Sequence, residues 1–277
     1  MRVTVPARRA AAGLLLLAFA RGAPGAPATA PPDPYPRVAS AYLVTVNGAE
    51  LWARAPERAL PPASLTKLMT ALVVLDDWRP DAIVGTSARA ASATGSRLGL
   101  REGDRLRLAD AFDALLVASA NDACVALAEH AAGNTAAFVA RMNARARALG
   151  LRATVFRNPC GLDAPGHVSS ARDLHRLAAV AMAEPEIARA VALPALDVTT
   201  VGGRRFRKPA GNLLLGRVPG AVGVKSGYTR GAGKCLVGLV RRGDDAVVVV
   251  LLDAPDRWWS AARLIDDAFA ALAESRR

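Results

Sequence analysis

Three apolar runs near the C-terminus constrain the fold more than any other feature of the chain. They are AVGVKSGYT (221–229), KCLVGLVRR (234–242) and AVVVVLLDAP (246–255). Each has the length and β-branched content of a strand, and Gly243-Asp244-Asp245 between the last two has the composition of a turn. They read as successive antiparallel strands, preceded by DVTTV and RRFRK on either side of Gly202-Gly203. The run RWWSAARLIDDAFAALAE that follows has apolar positions at helical spacing and is expected to pack on the sheet. Near the other end, AYLVTVN and LWARAP, separated by Gly48-Ala49-Glu50, read as a hairpin.

The segments between are helical in pattern. SLTKLMTALVVLDD is apolar nearly all round, the mark of a buried helix. LADAFDALLVASA follows, then NDACVALAEHAA ending at Gly133, and TAAFVARMNARARAL ending at Gly150. Ser170-Ala171-Arg172-Asp173 is a capping box that opens DLHRLAAVAMA. Two strands, many helices, a meander and a closing helix predict an α+β fold. An antiparallel sheet of about five strands, formed from both chain ends and flanked by helices, receives an inserted all-helical lobe. The expected bounds are 39–70 and 195–275 for the α/β lobe and about 71–194 for the helical lobe. At 277 residues one domain with two lobes is expected.

The first thirty residues stand apart. MRVTVPARR is a basic leader and AAAGLLLLAFA an eleven-residue apolar run, with small-x-small sites at Ala18-Phe19-Ala20 and Ala28-Thr29-Ala30. That run has the length of a signal-peptide core and is short for a membrane span. Residues 1–30 are therefore expected to be a signal peptide and the start of a linker. APATAPPDPYPR continues it, with residues 31–38 a proline-rich stretch that reads as extended and mobile. The body of the protein is exported, and membrane contact is expected only if the N-terminal segment stays uncleaved. In that setting Cys124, Cys160 and Cys235 permit one disulfide and leave one thiol over, and they read as small buried side chains rather than a framework.

The formal charge of +12 suits anionic surroundings or a solvated arginine-rich face. No basic cluster is interleaved with aromatics, so no nucleic-acid partner is expected. Arginine supplies nearly all of the positive charge: of 36 Lys and Arg residues only Lys67, Lys208, Lys225 and Lys234 are lysine. A guanidinium is effectively never deprotonated, whereas an ammonium loses its proton when desolvated or crowded by cations. Lysines retained against such a bias are candidates for proton chemistry.

Lys67 lies three residues after Ser64 in PPASLTKLMT. On a helix those positions share a face, so the amine can act as base to the hydroxyl. Pro61-Pro62 starts the helix and puts Ser64 in its first turn, where developing negative charge is favoured. Ser119 and Asn121 occupy the break between two helices; both can point into one cleft, or either can simply cap the following helix. Lys225, Ser226 and Gly227 lie on a strand, where glycine lets another backbone approach and Lys225 draws a carboxylate or carbonyl. GAVGVKS is not a phosphate loop, because Val224 stands where glycine would be required. His130, His167 and His175 have no G-x-S-x-G serine to serve and belong to no metal motif, so they read as structural; no metal and no cofactor is expected.

Taken in order, these pieces resemble the penicillin-binding D-alanyl-D-alanine carboxypeptidases of the serine peptidase type. The likeness runs from about Ala39 to Phe269 through PASLTKLMTA, LLVASANDACVALAEH, FVARMNARARALGL, TVFRNPCGLDAPGHVSSARDL and VKSGYTRGAGKCLVG. It implies a nucleophile at Ser64, a general base at Lys67, a proton relay at Ser119 and binding of the substrate amide by Asn121. Lys225 and Ser226 would hold the terminal carboxylate, Gly227 would admit the peptide, and the N–H groups of Ser64 and Tyr228 would form the oxyanion hole. The implied partners are peptidoglycan stem peptides and β-lactam inhibitors, and the implied location is the bacterial periplasm or cell envelope.

The chain departs from the family pattern in three ways. Ser226 stands where threonine is usual, and Cys160 where the family often has histidine. The expectation is also of no C-terminal β-rich domain or anchor after the last helix. Three alternatives share the motifs: an endopeptidase that cuts cross-links, a class A-like β-lactamase, and a catalytically silent β-lactam- or wall-binding domain. Against the β-lactamase, no glutamate occurs between Glu129 and Glu184 to drive deacylation. Against the silent domain, nucleophile, base, relay and carboxylate site are all present.

Overall fold

The computed structural model describes residues 33–277; the expected signal peptide lies outside them. The N-terminal hairpin pairs β1 (Ala41–Val46) with β2 (Ala49–Arg54). Its turn is Asn47-Gly48, one residue earlier than expected, because both residues take positive φ (51° and 84°) as a two-residue hairpin turn demands. A 3₁₀ turn at Ala63–Thr66 then leads into α1 (Lys67–Leu75).

The helical lobe begins with a small ribbon of β3 (Ile83–Gly85) and β4 (Arg105–Arg107), with the short α2 (Ala88–Ala91) between them. The sequence did not suggest this ribbon, whose strands are only three residues long. Then come α3 (Leu108–Val117), α4 (Asn121–Ala132) and α5 (Thr135–Ala148), followed by α6 (Ala171–Ala183) and α7 (Pro185–Val191). Asn134 caps α5 by accepting from Ala137 N, and Ser170 caps α6 by accepting from Asp173 N. The capping box at α6 is only half formed, since Asp173 turns its carboxylate to Ala153 N and the Thr154 hydroxyl instead.

The expected C-terminal run of strands divides in two. β5 (Ala195–Thr199) and β6 (Arg205–Pro209) form a separate hairpin, and β5 packs on α3. The glycine-rich connection 210–220 breaks the meander before β7 (Ala221–Thr229), β8 (Gly233–Arg242) and β9 (Asp245–Leu252). The main sheet is antiparallel with order β2-β1-β9-β8-β7, so both chain ends build it as expected and β7 is an edge.

Alternation along the strands buries both faces of this sheet. Tyr42, Val44, Val249 and Leu251 pack with Leu264 and Ile265 of α8 (Arg257–Ser275). Leu43, Val237, Val250 and Leu252 join the core shared with the helices, through α6 and α1. The proline-rich stretch is not free from Asp33 onward: Tyr35 stacks edge-on against Trp52 and its hydroxyl donates to Asp267 at 2.7 Å, because its ring is buried at the edge of the α8 core.

Cys124 and Cys160 form a disulfide, and Cys235 is a buried free thiol. The cysteines are thus buried, as read from sequence, but two of them also crosslink α4 to a loop 36 residues away. A crosslink at that separation stabilises by about 4 kcal/mol in the chain-entropy account.

Candidate active site

Four pieces of backbone converge: the 3₁₀ turn, the α3–α4 break, the loop 158–163 and the edge strand β7. The tight turn at residues 63–66 eclipses positions three apart, which brings Ser64 Oγ to 3.0 Å from Lys67 Nζ. The expectation of an α-helical first turn is corrected in this detail, since the α-helix begins only at Lys67. Ala63, just before the serine, has φ 48°, and Ser119 has φ 56°. Both are non-glycine residues held in the left-handed region at some energetic cost, on either side of the same cleft.

Lys67 is fully buried, with Asn121 Oδ1 and the Cys160 carbonyl each 2.7 Å from Nζ. Desolvation first and the neighbouring charge of Lys225 second hold its pKa well below the usual lysine value. A neutral amine has two N–H bonds and one lone pair. The two carbonyl oxygens can only accept, so they take the N–H bonds and leave the lone pair for the Ser64 hydroxyl.

Asn121 is itself fixed, since its Nδ2 donates to Thr94 O at 2.5 Å, leaving one amide N–H for another acceptor. Lys225 Nζ reaches Ser119 Oγ at 3.0 Å and the Ser226 carbonyl at 2.9 Å. Burial, then Arg257, push the Lys225 pKa down to about 7. Ser226 Oγ donates to Gly211 O at 2.8 Å, on the opposite side of the strand from Lys225, and Tyr228 is exposed. At Gly227 a Cβ would lie 2.7 Å from Ser64 N, so only glycine lets β7 close on the serine turn. The structure thus brings together all eight residues singled out in the sequence, with Ser226 and Tyr228 at the margin.

Three further contributors escaped the sequence reading. Arg257, in the first turn of α8, donates from Nη1 to the carbonyls of Gly227 and Cys235, while its buried Nε has no partner. A cation in a helix's first turn opposes the macrodipole, and that misplacement was the available signal. Asp122 is buried and accepts from Leu98 N, Gly99 N and Leu100 N, which fastens the segment after Thr94 to α4. Asn158 Oδ1 accepts from the N–H groups of Cys160, Gly161 and Leu162, shaping the loop that presents the Cys160 carbonyl. In that loop Gly161 has φ 83°, and a Cβ there would lie 1.9 Å from Ala63 O.

His167 is structural, as expected, and it supports the site from behind. Arg157 N donates to Nδ1 at 3.0 Å, so Nε2 carries the proton and donates to Thr66 Oγ1 at 2.9 Å, beside Lys67. Burial pushes its pKa down to about 4. The unfolded chain takes up a proton near pH 6.5, whereas the folded chain resists until about 4. Stability is therefore lost as pH falls through that window, by roughly 3 kcal/mol. Thermal melts at a series of pH values should show this acid slope, and His167→Gln, which keeps a donor and an acceptor, should flatten it; an unchanged slope would assign it to other groups.

Among the described residues no three His, Cys, Asp or Glu side chains come together to hold a metal ion, and no described helix is long and apolar enough to cross a membrane.

A family profile described as D-alanyl-D-alanine carboxypeptidase matches residues 29–256. The chain is 32% identical over 240 residues to D-alanyl-D-alanine carboxypeptidase DacF of Bacillus subtilis, covering 83% of this chain and 62% of that protein. It is 35% identical over 232 residues to DacB2 of Mycobacterium tuberculosis, with 81% and 79% covered. A solved D-alanyl-D-alanine carboxypeptidase from Mycobacterium tuberculosis superposes with a TM-score of 0.79 at 34% identity, over 88% of this chain and 95% of that one. The chain thus spans less than two thirds of the length of the Bacillus relative.

Proposed function

The chain belongs to the D-alanyl-D-alanine carboxypeptidase family, and we propose that it removes the terminal D-alanine from peptidoglycan stem peptides through an acyl-enzyme on Ser64. The observation that carries this reading is the buried Lys67, whose two carbonyl partners turn its lone pair toward the serine hydroxyl.

The stem peptide adds alongside the free edge of β7, as an extended strand beside Gly227. Lys225, with the Arg257 guanidinium behind Gly227, supplies positive charge for the terminal carboxylate; the Ser226 hydroxyl can rotate from Gly211 to join it. Ser64 Oγ attacks the carbonyl carbon of the penultimate D-alanine as its proton passes to Lys67 Nζ. The oxyanion forms against the N–H groups of Ser64 and Tyr228, and Asn121 offers its free amide N–H to the substrate. Collapse breaks the peptide C–N bond, and Ser119, held on Lys225, passes a proton to the departing amine. Water activated by Lys67 then cleaves the ester and frees Ser64.

The function places the protein outside the cytoplasmic membrane, in the periplasm or cell envelope, consistent with the leader-like first thirty residues. The cleft then lies where the 3₁₀ turn and β7 on the sheet side meet the α3–α4 break on the helical side. Incubation with a defined pentapeptide muropeptide and a cross-linked dimer tests the reading: free D-alanine and intact dimer are expected. Split dimer without free D-alanine would make the protein an endopeptidase instead.

A further inference from the structure

Lys67 depends on two acceptors that come from distant parts of the chain. Asn121 is the first residue of α4, and Cys160 belongs to the loop 158–163. Neither segment touches the lysine by virtue of its own local structure. The two are joined by a single covalent link, since Cys124, one turn along α4 from Asn121, is bonded to Cys160 itself. Cys160 Sγ also lies 3.8 Å from the Asn121 carbonyl, so the loop is seated on the first turn of the helix.

We propose that the Cys124–Cys160 disulfide is a positioning device for the general base: it fixes the Cys160 carbonyl and the Asn121 amide relative to each other, and so aims the Lys67 lone pair at Ser64. This rests on the carboxypeptidase reading of Ser64 and Lys67. The bond does no chemistry itself. Its action is through the carbonyl of Cys160 and through the exclusion of water from Lys67, which keeps the amine desolvated.

Other contacts shape the loop and hold it elsewhere, Thr70 Oγ1 of α1 donating to Pro159 O at 2.5 Å, but they do not join it to α4. Asn158 folds the loop through three N–H groups of the loop itself. On the far side Asp163 accepts from Thr229 and Gly231, which ties the loop to the β7–β8 turn. With the disulfide open, the weak thiol contact to the Asn121 carbonyl is the remaining polar bond from Cys160 to α4. A groove of about 590 Å³ between α2, α5 and the loop is bordered by Cys160, and both half-cystines are buried beneath it.

None of the titratable groups that face Lys67 is held by the disulfide. They are Lys225 of β7, Arg257 of α8 behind it, and His167, which is neutral. Asp122 of α4 is turned to the N–H groups of residues 98–100, and Asp163 is engaged as above. A change in the pH profile on opening the disulfide therefore reports loss of aim and water entry at Lys67.

The test measures the rate of Ser64 acylation by a fluorescent penicillin across pH, together with a thermal melt. It compares the oxidised protein, the Cys124→Ser/Cys160→Ser double variant, and the native protein reduced with dithiothreitol. In the last, two electrons and two protons pass from the dithiol to the cystine sulfurs and the reagent leaves as its cyclic disulfide. Both opened forms are expected to acylate about tenfold to a hundredfold more slowly at neutral pH, as for a base displaced by around an ångström. The rise of rate with pH should move up by about one unit as Lys67 is rehydrated. Reoxidation of the reduced protein should restore rate and profile. If the opened forms melt earlier yet acylate at the oxidised rate with the same profile, the bond is a staple only and the proposal is wrong. The reduced native protein answers the question even if the double variant does not fold. Failure of the oxidised protein itself to label would instead overturn the reading of Ser64.

Discussion

Ser64→Ala is expected to abolish both covalent labelling by a fluorescent penicillin and release of D-alanine, a loss of about ten-thousandfold or more. The substitution removes one oxygen from a half-buried position on a turn held by Leu65 N donating to Pro62 O and by the packing of Leu65 and Thr66. The fold should therefore survive, and an unchanged circular dichroism spectrum and melt serve as controls. Persistent D-alanine release by the folded variant would mean that the nucleophile lies elsewhere. Persistent non-covalent retention of penicillin would be compatible with the account, because Lys225 and Arg257 are untouched.

Lys67→Arg is the sharper substitution because it keeps a long, N–H-donating basic side chain and removes only the lone pair. An arginine there stays protonated and has no lone pair to receive the hydroxyl proton. Acylation and D-alanine release are both expected to fall about a thousandfold or more, the upper part of what a general base contributes. The wild-type rate should rise with pH as Lys67 passes through its lowered pKa, which burial and Lys225 set, and the variant should lose that rise. Substantial acylation by Lys67→Arg would reduce the lysine to a fixed charge.

How much of this site was legible in the sequence depended on whether a residue's type announced its task. Lysine scarcity singled out Lys67 and Lys225, and the spacing to Ser64 suggested a shared face. The Ser119-Ala120-Asn121 break between helices was equally plain. For the fold, apolar, β-branched runs of strand length placed β1, β8 and β9. Gly133 and Ser170 marked helix ends by chemistry that is local to the chain. What stayed hidden was carried by backbone atoms or by contacts distant in sequence. The carbonyl of Cys160 that holds Lys67 would be present whatever side chain stood there. The pairing of Cys124 with Cys160, rather than with Cys235, follows only from the loop's seat on α4.

Arg257 was hidden for a different reason. Its helix was correctly read as packing on the sheet, and a surface role for arginine is the usual one in so basic a chain. Only the approach of α8 to the end of β7 turns it toward Gly227. The 3₁₀ turn at residues 63–66 was also beyond the sequence pattern, since Pro61-Pro62 signals a helix start without distinguishing its first turn. That turn decides the Ser64–Lys67 distance. The separate β5–β6 hairpin was misjudged as part of the meander because strand signals do not say which sheet a strand joins.

The most direct measurement of the central claim is intact-protein mass spectrometry after incubation with penicillin, followed by peptide mapping. The β-lactam ring opens without losing a leaving group, so the account predicts one adduct per chain of the drug's full mass, located on Ser64. It should persist, because the chain offers no glutamate between residues 129 and 184 to activate water for its release. No adduct, an adduct on another residue, or an adduct cleared as fast as it forms would contradict the assignment of Ser64 and Lys67 as nucleophile and base of a carboxypeptidase.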